Sequence, residues 1–183
     1  DFVTIHILPY WEDDPMEITT AIKHLADVRI EVEGILKTSD ILIGETGWPS
    51  EGRMREDALP SKTNQAIFVR EFVKLAEEKG WNYNIIEAFD QPWKRVSEGA
   101  VGGFWGLFDK DRLDKNVFTG DVSNFPNYKY LGFGSLLLIF GFSFLLKNSN
   151  ISTKRVVLFS FINTIFAVLY MLQMEQFNIT VRS

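Results

Sequence analysis

Cysteine is absent from the 183 residues, which removes disulfides and thiolate metal sites from consideration. Only two histidines occur, His6 and His24, far apart in the sequence. A multi-histidine metal centre is not expected, and no cofactor is implied. The front of the chain lacks positive charge: residues 1 to 130 carry 15 Lys/Arg against 23 Asp/Glu, a net of −8. That balance argues against nucleic acid as a partner. Internal repeats and low-complexity segments are missing too. So is an initiating methionine: the chain opens on Asp1, already inside a strand-like run. The expectation is that an N-terminal portion precedes it, and a signal peptide is not visible in what is given.

What charge the sequence lacks locally is equally informative. Residues 130 to 146 (YLGFGSLLLIFGFSFLL) and 156 to 174 (VVLFSFINTIFAVLYMLQM) contain no charged side chain. As helices they would be about 26 and about 28 Å long, close to the roughly 30 Å hydrocarbon thickness of a bilayer. They are expected to be two membrane spans, with membrane lipid as a partner. The connecting loop holds Lys147, Lys154 and Arg155 and no acid. By the positive-inside rule it is cytoplasmic, which puts the acidic front and the tail after Met174 on the outer side. Tyr128 and Tyr130 suit the outer interface, Asn163 and Gln173 are expected to satisfy a neighbouring helix, and Phe125-Pro126-Asn127 reads as the linker. The organisation is a globular region over 1–125 and a membrane region over 126–183.

Asp1 to Leu8 is a β-branched, apolar run that suits a buried parallel strand, stopped by Pro9. Residues 16 to 37 keep a helical period through Ile18, Ile22, Leu25, Val28, Val32, Ile35 and Leu36. Asp40 to Gly44 is a second strand. After the polar stretch Glu51 to Pro60, Ser61 is the expected N-cap of a helix to Lys79, its apolar face formed by Ile67, Phe68, Phe72, Val73 and Leu75 and its end by Gly80. Tyr83 to Phe89 is a third strand, followed by an aromatic, glycine-rich loop to Phe108. Alternation of strand and helix implies an α/β fold with a parallel sheet.

Unusual residues follow each strand: His6 to Trp11, Glu45 to Trp48, and Glu87 to Trp93. In a (β/α)8 barrel the C-terminal ends of the strands hold the active site. A carboxylate there, beside several indoles and without a metal set, suits a glycosidase, which needs two carboxyl groups flanking the scissile bond. From this chemistry alone Glu45 stands between a catalytic role and that of an ordinary paired surface glutamate. His6 is either a sugar contact or a hydrogen-bonded barrel residue, and Trp93 and Trp105 either stack on sugar or pack. His24 is expected at the surface, and Asp13-Asp14 in a solvated loop.

Ile43-Gly44-Glu45-Thr46-Gly47-Trp48-Pro49-Ser50 resembles the nucleophile segment of glycoside hydrolase family 17, the β-1,3-glucanase family. Ile7-Leu8-Pro9-Tyr10-Trp11 is similar to that family's strand ending in Pro-Tyr-aromatic. Phe89 to Lys94, with Trp105-Gly106-Leu107-Phe108-Asp109, is similar to its last strand and following loop. The likeness covers residues 1 to about 115 and looks closest to the bacterial, membrane-linked members. It implies the C-terminal portion, the last three strands, of a (β/α)8 TIM barrel, here followed by two transmembrane helices in what would be a bacterial inner membrane, with the front on the periplasmic side.

The resemblance further implies a retaining enzyme on β-1,3-glucan with Glu45 as nucleophile. The acid/base Glu would lie on a strand before Asp1, so no residue of this chain takes that role. Tyr10, Trp48, His6, Glu87, Lys94, Trp93 and Trp105 are the candidate substrate-binding residues, of which Tyr10 and Lys94 match the family's motifs, with Glu87 supporting rather than substituting for the nucleophile. Gln91 stands where the family has an acid, which leaves the surrounding hydrogen bonds open. The Gly47-Trp48-Pro49 turn is expected to present an aromatic wall beside Glu45. Hydrolase and transglycosylase share these residues; a non-catalytic glucan-binding or scaffold module is the alternative.

Overall fold

The computed structural model describes residues 2–146 and 152–177, and the chain divides after Val122 into two compact units. In the first unit, β1 (Val3–His6), β2 (Ile41–Thr46) and β3 (Asn82–Ile85) form a parallel sheet in the order β1-β2-β3. Helix α1 (Ile18–Leu36) links the first two strands and α2 (Lys62–Lys79) the second and third. Register runs Val3 to Ile41 and Ile5 to Ile43, then shifts at a bulge so that His6 faces Glu45. On the other side of β2, Ile43 pairs with Tyr83 and Thr46 with Ile85.

Both helices pack on one face of the sheet and on each other. Ile43 of β2 lies in that core, and Ile41 and Thr46 are buried as well. α1 contributes Ile18, Ala21, Leu25 and Arg29, a stripe at steps of three and four. Ile35 and Leu36, expected on that stripe, are exposed instead. The buried face has turned to place Arg29, whose guanidinium lies over the Trp81 ring and bonds Glu33 at 2.7 Å. On α2 the buried stripe is Gln65, Phe68, Val69, Phe72 and Ala76. Ser61 caps the helix by accepting the Asn64 N–H at 3.1 Å, and Gly80 ends it in the left-handed conformation.

Expectations for the strands and for the loop after β3 also change. β1 is not buried on both faces; it alternates half-buried and exposed, because among the described residues it pairs on one side only. The third strand stops at Ile85 rather than Phe89, and the backbone from Glu87 to Asp90 pairs instead with a returning arm at Trp105 to Phe108. The stretch between them is not open loop: a 3₁₀ turn at Pro92–Lys94, helix α3 (Arg95–Glu98) and a second 3₁₀ turn at Ala100–Gly103 fill it.

The second unit holds α4 (Tyr128–Leu146) and α5 (Thr153–Phe177), which contact each other. Ser143 and Ser160 hydrogen-bond across that contact. Windows of 18 residues in each helix, Tyr128–Leu145 and Thr153–Tyr170, are apolar enough to cross a membrane and only 6% and 11% buried. They are therefore not core helices within the described structure. Asn163 is satisfied within its own helix, donating to the Phe159 carbonyl at 2.8 Å, and not by a neighbour as expected. Residues 147–151 of the connecting loop, Asp1, the side chain of Gln173 and the residues from 178 onward lie outside what is described.

Phe68 is buried without residual exposure, stacked on Phe72 and tilted against Trp48. Phe68→Ala should lower the unfolding free energy by about 3–5 kcal/mol. Val96→Ala, at a position 95% exposed, should change it by less than about 0.5 kcal/mol. Denaturant titration of the two variants checks the contrast.

Candidate active site

Glu45 is the penultimate residue of β2, with a side chain 44% exposed and Oε2 lying 3.3 Å from His6 Nδ1 on the neighbouring strand. Two glycines make this possible. A Cβ at Gly44 would fall 2.4 Å from Thr4 Cγ2 and 3.1 Å from His6 Nε2, so the glycine lets β1 and the imidazole close over β2. A Cβ at Gly47 would fall 2.6 Å from the Ile86 carbonyl oxygen. Its absence lets the extension of β3 lie beside the turn after Glu45, where the Ile86 N–H donates to the Thr46 carbonyl at 2.8 Å.

That extension carries Glu87, whose backbone bonds Trp105 and Leu107 of the returning arm. Its Oε2 accepts from Lys94 Nζ at 2.6 Å and from the Gln91 amide. The structure thus answers what Gln91 does in place of an acid: it donates to Glu87. Oε1 of Glu87 is buried without a protein partner. The Lys94 pKa is raised above a lysine's ordinary value, first by the hydrogen bond to Glu87, against burial, with further help from the charges of Glu87, Glu98 and Glu45. Lys94 and Glu87 are therefore a tightly coupled pair, and Glu45 is near enough for its charge to be felt at the ammonium.

The aromatic residues divide differently from expectation. Trp48 is fully buried, donates from Nε1 to the Leu59 carbonyl at 3.1 Å and packs on Phe68. It is a core residue, and no wall beside Glu45 is formed by it, because the turn directs the ring toward α2. Tyr10 is also buried; its hydroxyl donates to the Arg53 carbonyl at 2.7 Å, and burial pushes its pKa up. Trp105 is buried beneath Trp11, the two rings stacked 16° from parallel with centroids 6.4 Å apart. Its Nε1 is buried with no hydrogen-bond partner. The exposed indoles are Trp11 at 42% and Trp93 at 67%. Arg55 holds the Trp11 segment, donating to the Tyr10 carbonyl at 3.1 Å and the Glu12 carbonyl at 2.8 Å while lying over the Trp11 ring.

Other residues depart from their expected places. His24 is half-buried and paired with Glu12 rather than free at the surface. Gln65 was hidden among apolar helix positions; its amide donates to the Trp105 and Gly106 carbonyls at 3.3 and 3.1 Å. Asp90 and Lys115 form a buried ion pair at 3.0 Å. A polar residue on an otherwise apolar stripe was the available sign for Gln65; Lys115 carries no local sign at all.

The raised pKa of Lys94 makes a pH prediction. The folded state holds that proton more tightly than the unfolded state does, so the contribution to stability is full below 10.5 and is lost as pH rises through the folded value. Thermal unfolding of the unaltered chain and of Lys94→Met should differ by a constant amount between about pH 7 and about pH 10, and the gap should close above that. A gap that shrinks on moving from high pH toward neutrality would contradict the assignment.

Residues 1–106 match the profile of the BtgE/BtgC glycoside hydrolase domain. The chain is 32% identical over 115 residues to a glucan 1,3-beta-glucosidase of Saccharomyces cerevisiae, covering 59% of this chain and 36% of that protein. It is 32% identical over 109 residues to the probable beta-glucosidase btgE of Aspergillus fumigatus, covering 60% of this chain and 19% of that one. Among solved structures it resembles the glycoside hydrolase family 17 beta-1,3-glucanosyltransferase from Rhizomucor miehei, at 27% identity and TM-score 0.58, over 65% of this chain and 42% of that one. An active-site mutant of that enzyme in complex with laminaritriose matches equally well, at 26% identity and TM-score 0.58, over the same shares. The chain thus spans less than half the length of these relatives, and those named are fungal. With its front 106 residues matching throughout, the chain belongs to the BtgE/BtgC glycoside hydrolase domain family, within glycoside hydrolase family 17.

Proposed function

We propose that this chain carries the nucleophile side of a retaining enzyme that cleaves or transfers β-1,3-glucan. The observation that carries the reading is Glu45, a half-exposed carboxylate on the end of an otherwise buried central strand. A Glu45 oxygen attacks the anomeric carbon as the glycosidic C–O bond breaks, and the leaving oxygen takes a proton from an acid/base carboxyl. Water or a sugar hydroxyl then attacks the same carbon, loses its proton to that acid/base, and releases Glu45. No residue among the 183 is assigned the acid/base role; in the family resemblance it belongs to an earlier strand. The region 1–125 is read as the C-terminal part of the relatives' barrel. Laminaritriose bound to the Rhizomucor enzyme supports a laminari-type oligosaccharide as substrate.

Glu87 and Lys94 are read as sugar-hydroxyl contacts, since Glu87 Oε1 is left without a protein partner. The stacking surfaces are read as Trp11 and Trp93. His6 is read as holding Glu45 in place. Transfer is favoured over simple hydrolysis by the glucanosyltransferase relative and by α4 and α5, which we read as spans that keep the site at the outer face of a membrane. The bacterial inner-membrane placement rests on the motif resemblance and on the basic loop at Lys147, Lys154 and Arg155.

Glu45→Gln in the complete protein should lower turnover of laminari-oligosaccharides by about three orders of magnitude or more, with binding largely kept. Azide added to Glu45→Ala with an activated β-glucosyl donor should restore turnover and give the α-glycosyl azide. The β-azide would move the nucleophile elsewhere. A glucan-binding module without catalysis would bind laminari-oligosaccharides and turn over none, with or without Glu45.

For the spans, protease added outside intact cells should cut the region before Pro126 and spare the Lys147 to Arg155 loop. Full protection of the front would contradict the topology.

A further inference from the structure

Three backbone segments meet at the C-terminal ends of the strands: the turn from Glu45 to Ser50, the extension from Ile86 to Asp90, and the arm at Phe104 to Phe108. A single side chain from outside all three joins them. Lys115 Nζ donates to Ser50 Oγ at 2.8 Å, Asp90 Oδ1 at 3.0 Å and the Gly106 carbonyl at 2.7 Å. An ammonium has three donors, and here each reaches a different segment. Two of the anchors stand close in sequence to a site residue: Ser50 follows Glu45, and Asp90 follows Glu87.

The side chains of Lys115 and Asp90 are only 10% and 9% exposed, so the pair is little screened by solvent. Burial pushes the lysine pKa down and the aspartate pKa up, each opposed by the other's charge. Asp90 Oδ1 also accepts the Gly106 N–H at 2.8 Å, which ties the arm to the β3 extension a second time. Gln65 holds the same arm from α2, through the carbonyls of Trp105 and Gly106. Turn and arm also meet directly, where Ser50 donates from its N–H and its hydroxyl to the Phe104 carbonyl at 2.8 and 3.1 Å. Lys115 adds an ionic link to Asp90 on the extension and ties it to Ser50 of the turn and Gly106 of the arm. It lies beyond the residues matched by the family profile.

We propose that Lys115 is a positioning residue for the site: its ammonium fixes the Glu45 turn against the Glu87 extension and so sets where the nucleophile stands relative to the Lys94–Glu87 pair. The proposal rests on the reading of Glu45 as nucleophile. Lys115 acts through Ser50, Asp90 and Gly106. A displacement of about 1 Å at a reacting group is enough to reduce rate by up to about 10²-fold.

The test uses the complete protein in a membrane mimetic, unaltered, as Asp90→Asn/Lys115→Met, and as Lys115→Arg. The double variant removes both charges together, so no unpaired charge is left buried. The two histidines serve as independent reporters, because His6 rests on Glu45 and His24 on Glu12. In ¹⁵N-histidine spectra the His6 ring resonances should move in the double variant while those of His24 stay. With laminari-oligosaccharides kcat should fall about tenfold or more while KM stays within about twofold. A folded double variant with both histidines unmoved and kcat retained would overturn the proposal. Should the double variant fail to fold, Lys115→Arg is read by the same two criteria, since a planar guanidinium cannot serve the same three acceptors. An unaltered complete protein that does not turn over laminari-oligosaccharides rejects the glucan reading instead, and the His6 resonances then decide on Lys115 alone.

Discussion

The first unit depends on one constraint, the burial of β2 between two parallel neighbours and under two helices. Ile41, Ile43 and Thr46 have no meaningful exposure, whereas Glu45 between them keeps its carboxylate half in solvent. In a strand, one residue of slip exchanges the two faces. Here it would drive the carboxylate into the fully buried place of Thr46, whose hydroxyl finds no hydrogen-bond partner among the described residues, at a desolvation penalty of several kcal/mol. The register that puts His6 opposite Glu45 and Ile85 opposite Thr46 is thereby enforced, and with it the meeting of the strand ends.

Three carboxylates at that meeting are handled in three ways, and the differences bear on their chemistry. Asp90 is buried against Lys115 and the Gly106 N–H, which commits it to holding backbone segments together. Glu87 has one oxygen occupied by two donors, Lys94 and Gln91. Hydrogen bonds of that kind stabilise the carboxylate and weaken it as a nucleophile. Glu45 has His6 as its ion-pair partner among the described residues, at 3.3 Å, and remains accessible. The proposed division of labour, with attack by Glu45 and support by Glu87, rests on how many donors each oxygen already serves.

Much of this was legible before the structure, and what was not has physical reasons. The strand at Ile41 to Thr46, the Ser61 cap and the Gly80 terminus are local features, set by β-branched runs and by backbone groups that need partners. The placement of Glu45 at a strand end follows from them. The direction of Trp48 was not legible because a turn motif does not state which way its middle residue points; the Leu59 carbonyl and the Phe68 ring decide that. Trp105 is covered by Trp11, a contact between residues far apart in sequence. The end of β3 was set too late because the segment after Ile85 leaves the sheet to pair with the arm at Trp105 to Phe108. Lys115 reads locally as one more charged residue in a polar run. Only the folded chain brings it to Ser50, Asp90 and Gly106.

The central claim is that Glu45 forms the covalent bond to sugar. It is tested most directly by incubating the complete protein with a 2-deoxy-2-fluoro β-laminaribiosyl fluoride, which slows release of the glycosyl-enzyme, and sequencing the labelled peptide by mass spectrometry. The account predicts the added mass on Glu45, within the Ile43 to Ser50 segment. A label on Glu87, or on any other carboxylate, would contradict it.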